Sequence, residues 1–547
     1  MSGPEGCAPL RCGGKRGERS EAGGRPDPPR WPSSIALGDL LPGTPGRATG
    51  LSLAAAEVSA GDLFVALPGS HTHGARFASA AVAAGAVAVL TDHVGAGLAG
   101  PLAVPVVVVD DPRAVMAELS ARLAGRPADR LLMLGVTGTN GKTTVVFCLA
   151  AILAGLGLDA ATIGTMGFLW RGRPLAVGTT TITTPESPHL QAGLGRLADG
   201  GCQAVAMEVS SHALALRRVD AIRFAAAGFT NLGSDHLEFH GSREEYYQAK
   251  ARLFEPARTG RAVIHGDDPA GRRLAGWVRR QGGSVLTLGR GPADLRIVGE
   301  APTGDGLTRV TVTAQDASYR FDLGLPGAHN VTDAVLALGL VRAAGLDPRP
   351  GLAALARVRV PGRLERVALP GEAPAVYVDF AHTAQAVSAT LAALAESRRR
   401  DGGTGAGGGV TGVAGDAGRA GGGAASADGV SGRRSSGRLI AVLGAGGDRD
   451  PAKRGPMGAA AAAVADVVVV TDDNPRGEDR AVIRRAVQIV DGGDRRAAIR
   501  WALAYASPGD TVAVLGKGHE TTVEVAGEFH DFSDAAVIAE EWDGLHG

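Results

Sequence analysis

The segment richest in chemistry is Gly-Val-Thr-Gly-Thr-Asn-Gly-Lys-Thr-Thr, residues 135–144. It follows an apolar run, 131–136, and opens an Ala/Leu-rich helical stretch, 142–155. A glycine-rich turn from strand to helix offers phosphate oxygens a row of backbone N–H groups and a helix N-terminus. Lys142 would reach the outer phosphates, and the Thr143 hydroxyl would face a magnesium ion. The usual spacing of such a loop is not met to the letter, because Val136 stands five positions before Gly141. A nucleotide site is expected even so. Further on, MEVSSHAL (207–214) puts Glu208 at the carboxyl end of an apolar run, where α/β sheets bind ligands. The block FTNLGSDHLEFHGSREEYYQAKARLF (229–254) then supplies His236, His240 and Lys250. Any one of these alone would be an ordinary surface or core residue. A carboxylate, two imidazoles and a lysine in order behind a phosphate loop point to metal and phosphoryl chemistry.

The elements that must position these groups are short apolar runs alternating with helical patterns. The runs 131–136, 204–209, 261–266, 375–380, 439–444, 466–473 and 511–516 are continuously apolar, as strands buried on both faces are. Helical stretches such as 142–155, 243–254 and 453–465 lie between them. The pattern predicts α/β units with mostly parallel sheets. Length, 547 residues, suggests three or four domains. A small unit is expected over 35–125, a central unit over 126–358 and a C-terminal unit over 359–547. Residues 1–34 have too few apolar side chains to offset the entropy of ordering and are expected to be disordered. The Gly/Ala/Ser-rich stretch 399–437 reads as a flexible insertion that lengthens one loop.

Composition narrows the function further. Apolar residues make up 45% and aromatics 4%, so the core is built from Ala, Val and Leu. Lys+Arg and Asp+Glu are both 56, which argues against a nucleic-acid binder. No run is long enough for a membrane span, and the N-terminus lacks the apolar stretch of a signal peptide. Cys7, Cys12, Cys148 and Cys202 show no CxxC spacing, so neither a disulfide framework nor a zinc site is expected. A cytoplasmic, monomeric enzyme is the expectation.

In sequence order, TGTNGKTT (137–144), TTPE (183–186), MEVSSHAL, the DHLEFHG–YYQAKARLF block, LPGAHNV (325–331), VPGRLE (360–365) and DFAHT (379–383) resemble the motifs of the Mur ligases. These are ATP-dependent amide-bond-forming enzymes of peptidoglycan precursor synthesis. GDLFVALPGSHTHG (61–74) is similar to the family's uridine-binding N-terminal domain, and the resemblance spans about 50–535. It implies a three-domain α/β architecture with a P-loop central domain and a Rossmann-like C-terminal domain. Within the family, GAGGDRDPAKRGPMG (444–458), DDNPRGED (472–479) and GKGHE (516–520) resemble the branch that extends UDP-N-acetylmuramoyl-L-Ala-D-Glu. The DNPR form is similar to the version that adds meso-2,6-diaminopimelate rather than L-lysine. The chemistry agrees: the distal carboxylate of diaminopimelate wants an arginine and its ammonium a carboxylate.

The resemblance implies phosphorylation of the D-Glu γ-carboxylate by ATP, then attack of the diaminopimelate amine on the acyl phosphate. Gly138, Thr139, Asn140, Gly141, Lys142, Thr143 and Thr144 would hold phosphates, with Asn231, Asn330, Arg363 and Asp379 also at ATP. Glu208, His236 and a carbamylated Lys250, with Thr143, would serve Mg²⁺. Leu53, Ala55, Ser70, His71, Thr72, Thr183, Thr184, Ser210 and Arg218 would bind the UDP-muramoyl-dipeptide. Arg449, Asp473, Asn474, Pro475, Arg476, Gly516 and Glu520 would bind diaminopimelate. Closure of the C-terminal domain would assemble the two halves. Five positions depart from the family pattern. Ala54-Ala55-Ala56 replaces a usual Asp-Ser-Arg near uridine, Leu216 replaces a Gln, and Asp333 replaces an Asn. The alternatives are a folylpolyglutamate synthetase on the same scaffold, an L-lysine-adding paralogue, and a catalytically weak nucleotide-binding scaffold.

Overall fold

A computed structural model describes residues 31–69, 72–175, 177, 182–303, 306–401, 437–448, 450–487 and 491–546. The expected disordered extension lies almost wholly outside these residues, as do most of the expected 399–437 insertion and the site candidates Ser70, His71 and Arg449.

Three sheets organise the chain. The first has four parallel strands, Gly50–Ser52, Asp62–Val65, Ala88–Thr91 and Val106–Val108, in sequence order. The third has five, with Ala375–Asp379, Thr511–Leu515, Leu439–Ala445 and Val467–Asp472 running parallel and Glu365–Val367 antiparallel at one edge. Between them lies an eleven-stranded sheet with Leu132–Thr137 near its middle, flanked by Ala204–Glu208 and Ala226–Phe229. The expected apolar runs all became strands, within one or two residues of the predicted ends. Their side chains are buried on both faces, which is why they read as continuous rather than alternating.

The central sheet is less parallel than the sequence suggested. Leu295–Pro302, Thr308–Thr313 and Ser318–Leu323 extend one edge as an antiparallel meander, and Gly167–Trp170 and Arg173–Pro174 extend the other. In the meander only alternate side chains are buried, among them Val310, Val312, Tyr319, Phe321 and Leu323. A search for unbroken apolar runs passes over such half-wet strands. The predicted 243–254 helix also changes form, from α over Arg243–Ala251 to a 3₁₀ turn at Arg252–Phe254.

Two helices fix the phosphate loop from behind. Lys142–Gly155 packs into the core through Val145, Val146, Leu149, Ile152 and Leu153. Ala328–Ala343 shares that core and buries nearly every residue from Asn330 to Val341. Fully burying one such leucine stabilises by ~1.5–3 kcal/mol, and truncating it to alanine costs ~2–5 kcal/mol. The loop that carries Lys142 therefore stands on rigid ground.

Candidate active site

The phosphate loop is shaped by backbone. Gly138 has φ +147°, and a Cβ there would overlap the Thr230 hydroxyl; Gly141 has φ +89° and lies against the Asp333 carboxyl. Neither position accepts a side chain. Asn231 braces the loop from the next strand end: its Oδ1 accepts from the Asn140 N–H at 3.1 Å, and its Nδ2 donates to the Asn140 carbonyl at 3.2 Å. Thr139 donates its N–H to the Asn231 carbonyl at 2.9 Å, and its hydroxyl meets Tyr246 at 3.1 Å. Lys142 folds back on its own loop and donates to the carbonyls of Gly138 (3.1 Å) and Thr139 (2.9 Å). Burial lowers its pKa, and the Glu208 charge works the other way.

Glu208 ends its strand as expected and is fully buried. It accepts from the Thr143 hydroxyl at 3.0 Å, the Thr165 N–H at 3.0 Å and the Thr165 hydroxyl at 3.2 Å. Lys250 is buried too, donates to the Gly138 carbonyl at 2.8 Å and lies 4.3 Å from the Tyr246 ring centre. Burial, reinforced by the nearby Lys142 charge, pushes its pKa well below that of an ordinary lysine. His236 sits in the left-handed region, φ +56°, and pairs with Asp235 at 3.4 Å and Glu238 at 3.6 Å. Among the described residues, no three His, Cys, Asp or Glu side chains converge to form a metal-holding group. Lys142, Thr143, Glu208 and Lys250 thus gather at the loop, and His236, within electrostatic reach of Lys142 and Lys250, lies beside them against its acidic partners.

A cavity of ≈ 350 Å³ opens beside the loop, lined by Asn140, Gly141, Thr144, Asn231, Asn330, Arg363 and Asp379 among others. Asn330 donates to the Pro326 carbonyl at 2.6 Å. Asp379 is occupied by the turn it ends, accepting from the N–H groups of Leu364 (2.7 Å) and Ala381 (2.9 Å) and from the Thr390 hydroxyl (3.1 Å). The Arg363 guanidinium lies 4.6 Å from the Phe380 ring centre. Asp333, one of the departures, lines the same cavity, and burial raises its pKa well above the carboxylate range despite Arg363 nearby.

A strip of polar groups leads from Glu208 toward the N-terminal sheet. The Thr184 hydroxyl donates to the Glu208 carbonyl at 2.9 Å and accepts from the Ser210 N–H at 3.0 Å. Arg218 donates to the Thr184 carbonyl at 3.0 Å and pairs with Glu186 at 2.9 Å, while Thr183 lies 3.4 Å from Thr165. Ion pairs Arg113–Glu186 (3.1 Å) and Arg217–Asp111 (2.5 Å) tie this strip to the N-terminal unit. There Ala55 opens a 3₁₀ turn, Leu53 is half-buried beside it, and Thr72 is exposed in a loop closed by Gly69 N–H to the Thr72 carbonyl at 3.1 Å.

A second cavity, ≈ 190 Å³, lies between the central and C-terminal sheets. Asp235, His236 and Glu238 line one side; Asp473, Asn474, Arg476, Gly516 and Glu520 line the other. Pro475 turns away from it and accepts from the Glu478 N–H at 3.0 Å. Arg476, at φ +52°, donates to Glu524 at 3.1 Å and to the Gly447 carbonyl at 2.7 Å. Sequence reasoning missed several residues of this region. His382 faces Asp235 at 3.7 Å; burial opposes the Asp235 charge, but His382, His236 and Lys453 together hold its pKa below the usual range. Lys517 is fully buried, Arg454 grips Glu478, and Arg495 joins Asp534 (2.7 Å) to the carbonyls of Asp472 and Leu515. Lys517, Arg454 and His382 lie inside the GKGHE, 444–458 and DFAHT motifs without a role that the motif itself reveals, and Arg495 lies outside them all.

Family models match three stretches: the Mur ligase middle domain over 136–341, the Mur ligase glutamate ligase domain over 420–518, and the Mur ligase family catalytic domain over 47–123. A UDP-N-acetylmuramoyl-L-alanyl-D-glutamate--2,6-diaminopimelate ligase of Streptomyces coelicolor is 39% identical over 526 residues, covering 92% of this chain and 94% of that one. A protein of the same name from Caulobacter vibrioides is 39% identical over 509 residues, 91% and 96% of the two chains. A solved structure of such a ligase is 29% identical, with a TM-score of 0.62, covering 94% of this chain and 100% of that one. The ADP complex of a Mycobacterium tuberculosis folylpolyglutamate synthase has a TM-score of 0.57 at 20% identity over 74% of this chain and 92% of that one, a likeness of fold alone. With a 39% identical relative aligned along 92% of its length, this chain belongs to the Mur ligase family.

Proposed function

We infer that the protein is the ATP-dependent ligase that adds meso-2,6-diaminopimelate to UDP-N-acetylmuramoyl-L-Ala-D-Glu in peptidoglycan precursor synthesis. One observation carries the reading: the segment 231–236 lines both cavities, Asn231 the first and Asp235 and His236 the second. A phosphoryl donor in the first and an amine in the second would meet on the two sides of this turn. The small unit, 35–125, is then the UDP-binding part, 126–358 the ATP-binding part and 359–547 the amino-acid-binding part. No helix among the described residues is long and apolar enough to cross a membrane.

A carboxylate oxygen is a poor leaving group, and transferring the γ-phosphoryl of ATP to the D-Glu carboxylate removes that difficulty. The protein's part is positioning and charge neutralisation. Lys142 exchanges the carbonyls of Gly138 and Thr139 for phosphate oxygens, a short swing of a flexible side chain. Glu208 and the Thr143 hydroxyl, 3.0 Å apart and buried, are hard oxygen donors that suit Mg²⁺. Mg²⁺ keeps several waters and binds phosphates through one or two protein groups, which this buried pair would supply. When bound, Mg²⁺ neutralises charge developing on the transferred phosphoryl. Lys250, whose burial lowers its pKa, is the amine that CO₂ would carbamylate, and His236 is the remaining candidate toward the metal. Thr183, Thr184, Ser210 and Arg218 orient the muramoyl-dipeptide beside Glu208. Asp473, Asn474, Arg476 and Glu520 receive diaminopimelate, with Arg449 the second cation for its distal carboxylate.

The test offers the protein UDP-N-acetylmuramoyl-L-Ala-D-Glu, ATP and Mg²⁺ with equal meso-diaminopimelate and L-lysine, and reads products by mass. The diaminopimelate product alone is expected. The lysine product, or none, would contradict the reading.

A further inference from the structure

Lys517 does not line the second cavity, yet it touches three of the residues that do. Its ammonium, fully shielded from solvent, donates to the Thr522 carbonyl at 2.6 Å, to Glu520 at 3.1 Å and to Asn474 Oδ1 at 3.4 Å, and lies 3.7 Å from Asp473. Asn474 Oδ1 also accepts from the Glu524 N–H at 3.0 Å, so both its lone pairs are taken. The amide is thereby locked with its Nδ2 donating to Glu520 at 2.9 Å. One buried cation thus sets the rotamers of a carboxylate and an amide and offsets one of the two negative charges of Asp473 and Glu520. Arg476 cannot perform the balancing, because its own charge is matched by Glu524 at 3.1 Å.

We propose that Lys517 is a positioning residue that sets amino-acid selectivity through the charge of this site, an inference that rests on the diaminopimelate-adding reading above. Diaminopimelate carries two ammonium and two carboxylate groups, net zero. L-Lysine carries one positive charge more. With Lys517 in place one of the two carboxylate charges is offset; a site stripped of that lysine is one unit more negative and favours a net cation more strongly. In a partly desolvated cavity one charge at this range is worth about tenfold or more in relative affinity.

Three variants test this in the full-length enzyme: Lys517→Met, Lys517→Arg and Glu520→Gln. The readout is the ratio of kcat/KM for meso-diaminopimelate to that for L-lysine, with KM for ATP as the control. Lys517→Met is expected to lower the ratio about tenfold or more, with KM for ATP unchanged, and Lys517→Arg to hold it near the starting value. Glu520→Gln, at a partly exposed position, removes one negative charge and is expected to raise the ratio; it serves should Lys517→Met not fold. An unchanged ratio in Lys517→Met or Glu520→Gln overturns the proposal, leaving Lys517 a merely structural ion. A starting enzyme that ignores diaminopimelate overturns the activity reading as well, which separates the two failures.

Discussion

The two cavities are built on opposite plans. Around the phosphate loop, the ligand-facing groups are mostly backbone, held by glycines at φ +147° and φ +89° and by a strand-to-helix junction set in a rigid core. Around the second cavity they are side chains from segments far apart in sequence, joined by buried contacts such as Asn474 to Glu520 and Lys517 to Asp473. Backbone sites tolerate change around them but not within them. Side-chain sites spread their dependence over supporting residues that never touch the ligand.

This difference orders what substitutions should do. The largest loss falls in the first cavity, where Lys142→Ala or Glu208→Gln removes charge needed in the transition state. Either should lower kcat by ~10³-fold or more while leaving the melting temperature nearly unchanged, read by phosphate release and thermal unfolding. In the second cavity, Arg476→Ala should raise KM for diaminopimelate by ~10–100-fold and leave KM for ATP alone, the scale of a hydrogen bond to a charged group. If KM for ATP rises in step, the two cavities are not separable and the comparison fails. A smaller effect is expected at the N-terminal departure. Ala55→Ser returns one hydroxyl and should lower KM for the UDP-dipeptide by ~2–10-fold, the worth of one net hydrogen bond.

The smallest prediction sharpens the account of the nucleotide cavity. Buried Asp333 holds its proton to higher pH folded than unfolded, since burial raises its pKa. The folded state therefore binds more protons, and stability falls as pH rises from the unfolded carboxylate pKa of ~3.9 toward the folded value. Asp333→Asn should remove this loss and raise Tm at pH 7 by about 2–4 °C, what ~1 kcal/mol gives in a domain of this size. The gain should shrink at pH 4. An equal gain at both pH values would assign the effect to packing.

How much of this was legible in the sequence follows the same divide. Gly138, Gly141 and Lys142 are legible because backbone geometry forces residue type at fixed spacing, and Glu208 because it closes an apolar run. The buried strands were found because they are apolar on both faces. The meander over 295–323 was not, because half its side chains face water. Glu524 and Arg495 lie in no motif, and Lys517 and Arg454, though inside GKGHE and the 444–458 motif, act through partners that only the fold brings near. The motif marks Arg476 as a substrate group, and the structure adds that Glu524 already pairs with it. The roles of Ser70, His71 and Arg449 rest on the resemblance alone.

The central claim is that ATP activates the D-Glu γ-carboxylate. The most direct test labels both oxygens of that carboxylate with ¹⁸O and follows the label during turnover with meso-diaminopimelate. The account predicts that one labelled oxygen leaves in the released phosphate and the other stays in the new amide. Unlabelled phosphate alongside amide product would contradict it.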